Sequence, residues 1–316
     1  MSAIRTTALT LAWGILTATI GCSNLDSQDQ HDDNPRDDTG TKFGAYWHQG
    51  KAEVTRFALQ QARYGELRDG DAVLIFVTED FLRDRQVKLE SDPTGKDVVP
   101  IMKLNFTKKF TTGIYPYSMM TSVFTPVDLA RYPNSLKVTA TVQEWCGQVF
   151  TQLNFRNNRY DARTFSYFET EGDRDYAIDR TLLEDEVWTR IRIDPSSLPV
   201  GEISIVPGVM TGRLRHIETA PETANAALGS IGTDSTGSEL VRYTLEYPRT
   251  ERTLAIDFEK NFPHRIHGWS ETYRDGFGPR AQVLTTRAVR THELMTDYWK
   301  HNSTADDTLR SRLGLP

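Results

Sequence analysis

The chain has 316 residues, 38% hydrophobic and 25% charged, with a formal net charge of −6. This composition supports a sizeable core and excludes wholesale disorder, and no dense Lys/Arg cluster offers the basic face of a nucleic-acid binder. A prior of about 150 residues per domain suggests two domains, yet single β sandwiches and barrels reach roughly 200–250 residues.

The chain opens MSAIRTTALTLAWGILTATIGC. Arg5 supplies a positive start, and Ala8 to Ile20 form an apolar stretch too short to span a bilayer comfortably. Residues 1–21 read as a signal peptide. Thr19-Ile20-Gly21-Cys22 resembles the bacterial lipobox, although Thr19 stands where an aliphatic residue is usual. The resemblance implies lipid attachment at the Cys22 thiol and cleavage after Gly21. It places the protein in the cell envelope with a membrane partner, and Ser23 favours the outer membrane over the inner. The only other cysteine is Cys146, so a lipidated Cys22 leaves no intramolecular disulfide.

Residues 23–42, SNLDSQDQHDDNPRDDTGTK, offer almost no apolar surface to bury. Residues 22–42 therefore read as a lipidated, acidic, flexible tether, and 43–316 as a single globular domain.

From Phe43 the pattern is β-rich. Residues 51–66 read as a strand paired with 72–78 through a turn at Arg68-Asp69-Gly70-Asp71, and Val73 to Val77 form a continuous apolar run. Pro100, Met102, Leu104 and Phe106 alternate, as do Leu136, Val138, Ala140 and Val142. Past Glu144 the phase switches, which suggests a bulge at Gly147 within one continuing strand. Hairpins are expected at 171–173, 248–251 and 275–279, and the Ala/Gly/Ser/Thr-rich segment 222–238 reads as a surface loop. Leu182, Leu183, Val187, Trp188 and Ile191 share one helical face, ended by Asp194-Pro195, and Asp306 to Leu313 reads as a terminal helix. Short turns between successive strands imply antiparallel pairing. The expected fold is mainly β, a large curved antiparallel sheet or open barrel with one or two short helices.

Catalytic signatures are sparse. No G-x-S-x-G, P-loop, G-x-G-x-x-G or H-E-x-x-H occurs, and no cofactor is implied. His264 and His267 form a lone H-x-x-H, whose ordinary reading is two structural or surface histidines rather than a metal pair. Cys146 would need a nearby His to act as a nucleophile; as an isolated thiol in a strand it reads as a buried packing residue. The aromatic segment Phe106–Phe124, with Phe110, Tyr115 and Tyr117, and the later Trp145 could line a groove on a concave sheet for an apolar or carbohydrate ligand; its plainer reading is sheet core. The leading expectation is a non-enzymatic envelope binder. The rival is an envelope hydrolase using carboxylates, Cys146 or the His264/His267 pair.

Six motifs can be read together: 50–53 GKAE, 61–66 QARYGE, 77–81 VTEDF, 103–106 KLNF, 113–120 GIYPYSMM and 142–147 VQEWCG. They resemble a family of uncharacterised bacterial lipoproteins over most of residues 44–300. Members sometimes carry the label "septum formation inhibitor", which belongs to Maf-type nucleotide pyrophosphatases. The Ser-Pro-Arg-Arg run of those enzymes is absent here, and a β-rich pattern does not suit their α/β fold. The resemblance supports lipoprotein status and carries no catalytic residues.

Overall fold

The computed structural model describes residues 35–315. The stretch read as a signal peptide, Cys22 and the stretch read as a tether, up to residue 34, lie outside the described residues. Helix α1 (Pro35–Trp47) begins within the stretch read as tether.

Strand β1 (Ala52–Arg63) leads into β2 (Glu66–Leu82), with the two-residue β3 (Val87–Lys88) on its end. Then come β4 (Val98–Thr112), β5 (Tyr115–Pro126), β6 (Lys137–Glu144), β7 (Gly147–Arg156), β8 (Arg159–Ser166) and β9 (Arg174–Asp179). A short β10 (Leu182–Leu183) feeds helix α2 (Glu184–Ile193). Strand β11 (Gly201–Val206), helix α3 (Val209–Arg215), β12 (Glu222–Thr233), β13 (Glu239–Tyr247), β14 (Arg252–Glu259), β15 (Ile266–Asp275), β16 (Gln282–Thr296) and helix α4 (Thr308–Arg312) complete the chain.

All sixteen strands join one open, curved sheet, ordered β10-β11-β12-β13-β14-β15-β16-β1-β2-β4-β5-β6-β7-β8-β9. Every ladder is antiparallel except β10 with β11. The expected large antiparallel sheet is present; the helices among the described residues number four, where one or two were expected.

Three local expectations are corrected. The β1–β2 turn is Tyr64-Gly65, both at positive φ (59° and 76°), the geometry of a tight hairpin. Arg68–Asp71 lie inside β2, and Gly70 is there because a Cβ would stand 2.2 Å from the Lys109 carbonyl oxygen of β4. The phase switch after Glu144 is a two-residue hairpin, not a bulge: Glu144 pairs with Gly147, and Trp145-Cys146 form the tip. The segment 222–238 is mostly strand β12, held between β11 and β13. Its small residues give a weak alternation by themselves, with Ala224 and Ala226 inward, and pairing on both sides supplies what bulk does not.

The concave face is filled. Helix α2 lies in it, with Leu183, Val187, Trp188 and Ile191 buried as the helical spacing predicts. Trp188 meets Phe106 and Trp269 edge-on at 5.2 and 5.3 Å. Each such side chain contributes about 1.5–3 kcal/mol by leaving water. Helix α2 thus occupies the concave space that the sequence reading left for a ligand. Helix α4 packs instead on the convex face, through Leu313 against Val54 and Val77.

Candidate functional site

The convex face carries an apolar groove of about 540 Å³ between the sheet and the C-terminal segment. Its floor is Val54 of β1, Val73 and Ile75 of β2 and Leu294 of β16; Leu309 and Leu313 form the opposite wall. Val73 and Ile75 point away from the core that receives Leu74 and Phe76, by strand alternation. The continuous apolar run at 73–77 therefore reports a strand covered on both faces. One end of the groove is polar: exposed Lys109 stands near Asp71, which Arg56 neutralises with its Nε at 2.7 Å. The C-terminal wall is fastened by His301, whose ring nitrogens lie 3.2 Å from Asp297 and Asp306, and by Ser303, whose hydroxyl donates to Asp306 at 2.8 Å.

A second cluster lies inside the sheet at the start of α2. Arg252 donates to Glu184 and, at 2.6 Å, to Glu271, while the Thr211 hydroxyl donates to Glu271 at 2.9 Å. Burial would raise the Glu271 carboxyl, but the charges of Arg252 and Lys108 outweigh it and bring its pKa down to about 2. Asp185 accepts the Val209 backbone N–H at 3.0 Å; burial dominates there and pushes its pKa up to about 7. Lys108 is buried beside them, with its Nζ 5.3 Å from the Phe106 ring centre and no ion pair among the described residues. Burial lowers its pKa, and Glu271 opposes the shift only in part. Lys108 and Thr121, whose Oγ1 has no hydrogen-bond partner among the described residues, line a cavity of about 30 Å³, room for a bound water. Sequence reasoning missed Lys108. Its signal is phase: it shares the inward parity of Leu104, Phe106 and Phe110.

The four aromatic residues named from sequence come together as a row. Phe110 and Tyr117 stack at 4.8 Å within the core, Tyr115 follows at 5.9 Å, and Trp145 stands 6.3 Å beyond at an exposed hairpin tip. The row runs from the core, at buried Phe110 and Tyr117, to the rim, at exposed Trp145. Cys146 is exposed, contrary to its expected burial, because it sits in a turn and not in a strand. Its backbone N–H donates to Glu144 Oε2 at 2.7 Å, and hydrogen bonding with that carboxylate raises the thiol pKa.

His264 and His267 belong to the opposite end of the sheet, at the β14–β15 connection. His264 Nδ1 lies 3.2 Å from the Glu259 carbonyl oxygen, and His267 Nδ1 lies 3.9 Å from Asp234. No group of three metal-ligating side chains occurs among the described residues. The Cys146 and His264/His267 elements of the rival chemistry thus share no cleft. No family model, curated protein or solved structure matches the chain.

Proposed function

We propose that this protein is a lipid-anchored envelope protein that holds the apolar chain of a small amphiphile in the groove beneath its C-terminal segment. The observation that carries the reading is the groove: a space of about 540 Å³ with an aliphatic floor and wall, and with exposed Lys109, which has no ion pair among the described residues, at its polar end. A volume in that range, apolar walls and a few polar groups are what small-ligand sites require. Lys109 suits an acidic head such as a carboxylate or phosphate. Attachment through Cys22, in the outer membrane, rests on the lipobox resemblance and Ser23. Of the hydrolase reading, Cys146 and the His264/His267 pair stand at opposite ends of the sheet.

The test is titration of the full chain with a fluorescent long-chain fatty acid, beside native mass spectrometry of the purified protein. Saturable one-to-one binding is expected, weakened at least tenfold by Leu294→Arg with an unchanged melting temperature. Absence of binding, or equal affinity in a folded Leu294→Arg variant, rejects the groove as the site.

A further inference from the structure

Six hairpins of the sheet end at one level; five of them are consecutive along the sheet from β15 to β9, and the sixth, the β13–β14 turn, has the polar tip Pro248-Arg249-Thr250-Glu251. Register fixes this. Gly70 of β2 lies opposite Phe110 of β4, which sets the Tyr64-Gly65 turn level with Gly113-Ile114. Ser118 lies opposite Gln143, which brings Trp145-Cys146 to the same height, and Val149 opposite Ser166 does so for Tyr167. Gln60 opposite Arg287 aligns the β15–β16 tip, which carries Phe277.

Four of these tips present a bulky, exposed apolar side chain. Ile114 is 81% exposed, Tyr167 74%, Phe277 69% and Trp145 68%. The partly buried Tyr64 stands 6.2 Å from Phe277, ring to ring, and the Tyr167 ring packs over Gly147, directly after the Trp145-Cys146 tip. Since neighbouring strands lie about 4.8 Å apart, successive tips are separated by roughly 10 Å and the row follows an arc of about 40 Å.

We infer that this rim docks on the interface of a lipid bilayer. Trp and Tyr favour the headgroup level of a membrane, where a ring buries its body and keeps its polar edge wet. A row of separate single-residue tips suits a surface that receives each ring independently; a protein partner would need a matching pocket at every tip. Charges of both signs flank the tips: exposed Arg274 and Arg280 beside Phe277, and exposed Glu169, Asp173 and Arg174 beside Tyr167. That mixture complements zwitterionic headgroups and gives no reason for an anionic requirement. The rim is also free of the N-terminal helix, which joins the opposite end of the sheet, where Thr78 Oγ1 donates to the Trp47 carbonyl at 2.8 Å and Ala52 lies opposite Thr296.

The test uses the full chain carrying Cys22→Ser, which leaves Cys146 on the rim as the sole thiol. A polarity-sensitive fluorophore on Cys146 is mixed with phosphatidylcholine vesicles. The expected result is a blue shift with quenching by headgroup-proximal quencher lipids, persisting at 0.5 M salt. The triple variant Ile114→Ser, Tyr167→Ser, Phe277→Ser should require at least tenfold more lipid, with its melting temperature unchanged. A probe moved to the far end, with Cys146→Ser and Ser235→Cys, should stay unshifted. An unshifted Cys146 probe overturns the inference, even if the protein floats with vesicles through its apolar leader. So does equal lipid demand in the folded triple variant, or a shift of both probes.

Discussion

The Arg192 guanidinium and the Glu53 carboxylate form a two-pronged ion pair wholly inside the protein, with Arg192 Nη2 2.7 Å from Glu53 Oε2. Arg192 ends the buried helix α2, and Glu53 lies at the start of β1, so the pair locks the helix to the sheet at the end away from the hairpin rim. Tyr46 adds a hydrogen bond to Glu53 from α1, and Arg192 lies over the Trp47 and Phe76 rings. Burial raises the Glu53 carboxyl, and Arg192 overrides it, leaving Glu53 ionised with a lowered pKa.

Removing one partner strands the other's charge in the core. Glu53→Gln is expected to cost about 3–5 kcal/mol, because Arg192 keeps its desolvation penalty without its counter-ion. A thermal melt should record a fall of roughly 10 °C. The double variant Glu53→Leu, Arg192→Leu should recover much of that loss; a double variant no better than Glu53→Gln would mean that the pair is more than a compensated charge.

Lys108 predicts the opposite sign. A base whose folded pKa is lowered carries a penalty that is full below the folded pKa and is relieved as pH rises towards its unfolded value. Lys108→Met should therefore stabilise the protein, by about 1–2 kcal/mol near neutrality, with the gain shrinking towards pH 10. Denaturant titrations at pH 7 and pH 10 measure it, and equal gains at both would contradict the buried-charge account.

Asp185 gives a pH signature of its own. With a folded pKa of about 7 against an ordinary 3.8, the folded chain holds a proton that the unfolded chain has released between those values. Its contribution makes stability fall as pH rises through that window and level off above it, by about 4 kcal/mol at most. Asp185→Asn keeps an oxygen for the Val209 N–H and removes the titration. The wild-type-minus-variant difference should slope between pH 4 and 7 and be flat from 7 to 8.5. A flat difference throughout would show that Asp185 is ionised over the range.

Cys146 should react with iodoacetamide in the native state, since it lies on an exposed turn. Its raised pKa delays that reaction to alkaline pH, because the thiolate is the nucleophile. Glu144→Gln removes the negative charge that helps to raise it, so the rate–pH curve should move to lower pH. Protection until unfolding would contradict the exposed turn.

Much of the sheet was legible because period-2 alternation is a local property. Leu136–Val142, Val241–Tyr247 and Leu254–Phe258 declare their faces, and Asp194-Pro195 declares the end of α2. Gly70 and Gly147 misled for one reason. A glycine marks either a turn or the close approach of another chain segment, and only the neighbours distinguish them. Gly70 makes room for β4 and Gly147 for the Tyr167 ring, both contacts between separate strands.

The sequence by itself determined the β class, the amphipathic face of α2, the lack of familiar catalytic motifs and the aromatic residues that form a row. It could not determine which face of the sheet stays open, because alternation names two faces without saying what covers each. Tertiary structure decided that α2 fills the concave side and that the C-terminal segment roofs the groove over Val73 and Ile75. It also decided that Lys108 is enclosed beside Glu271 and Asp185, residues separated by more than seventy positions from it, whose meeting depends on how fifteen ladders curve one sheet around a helix.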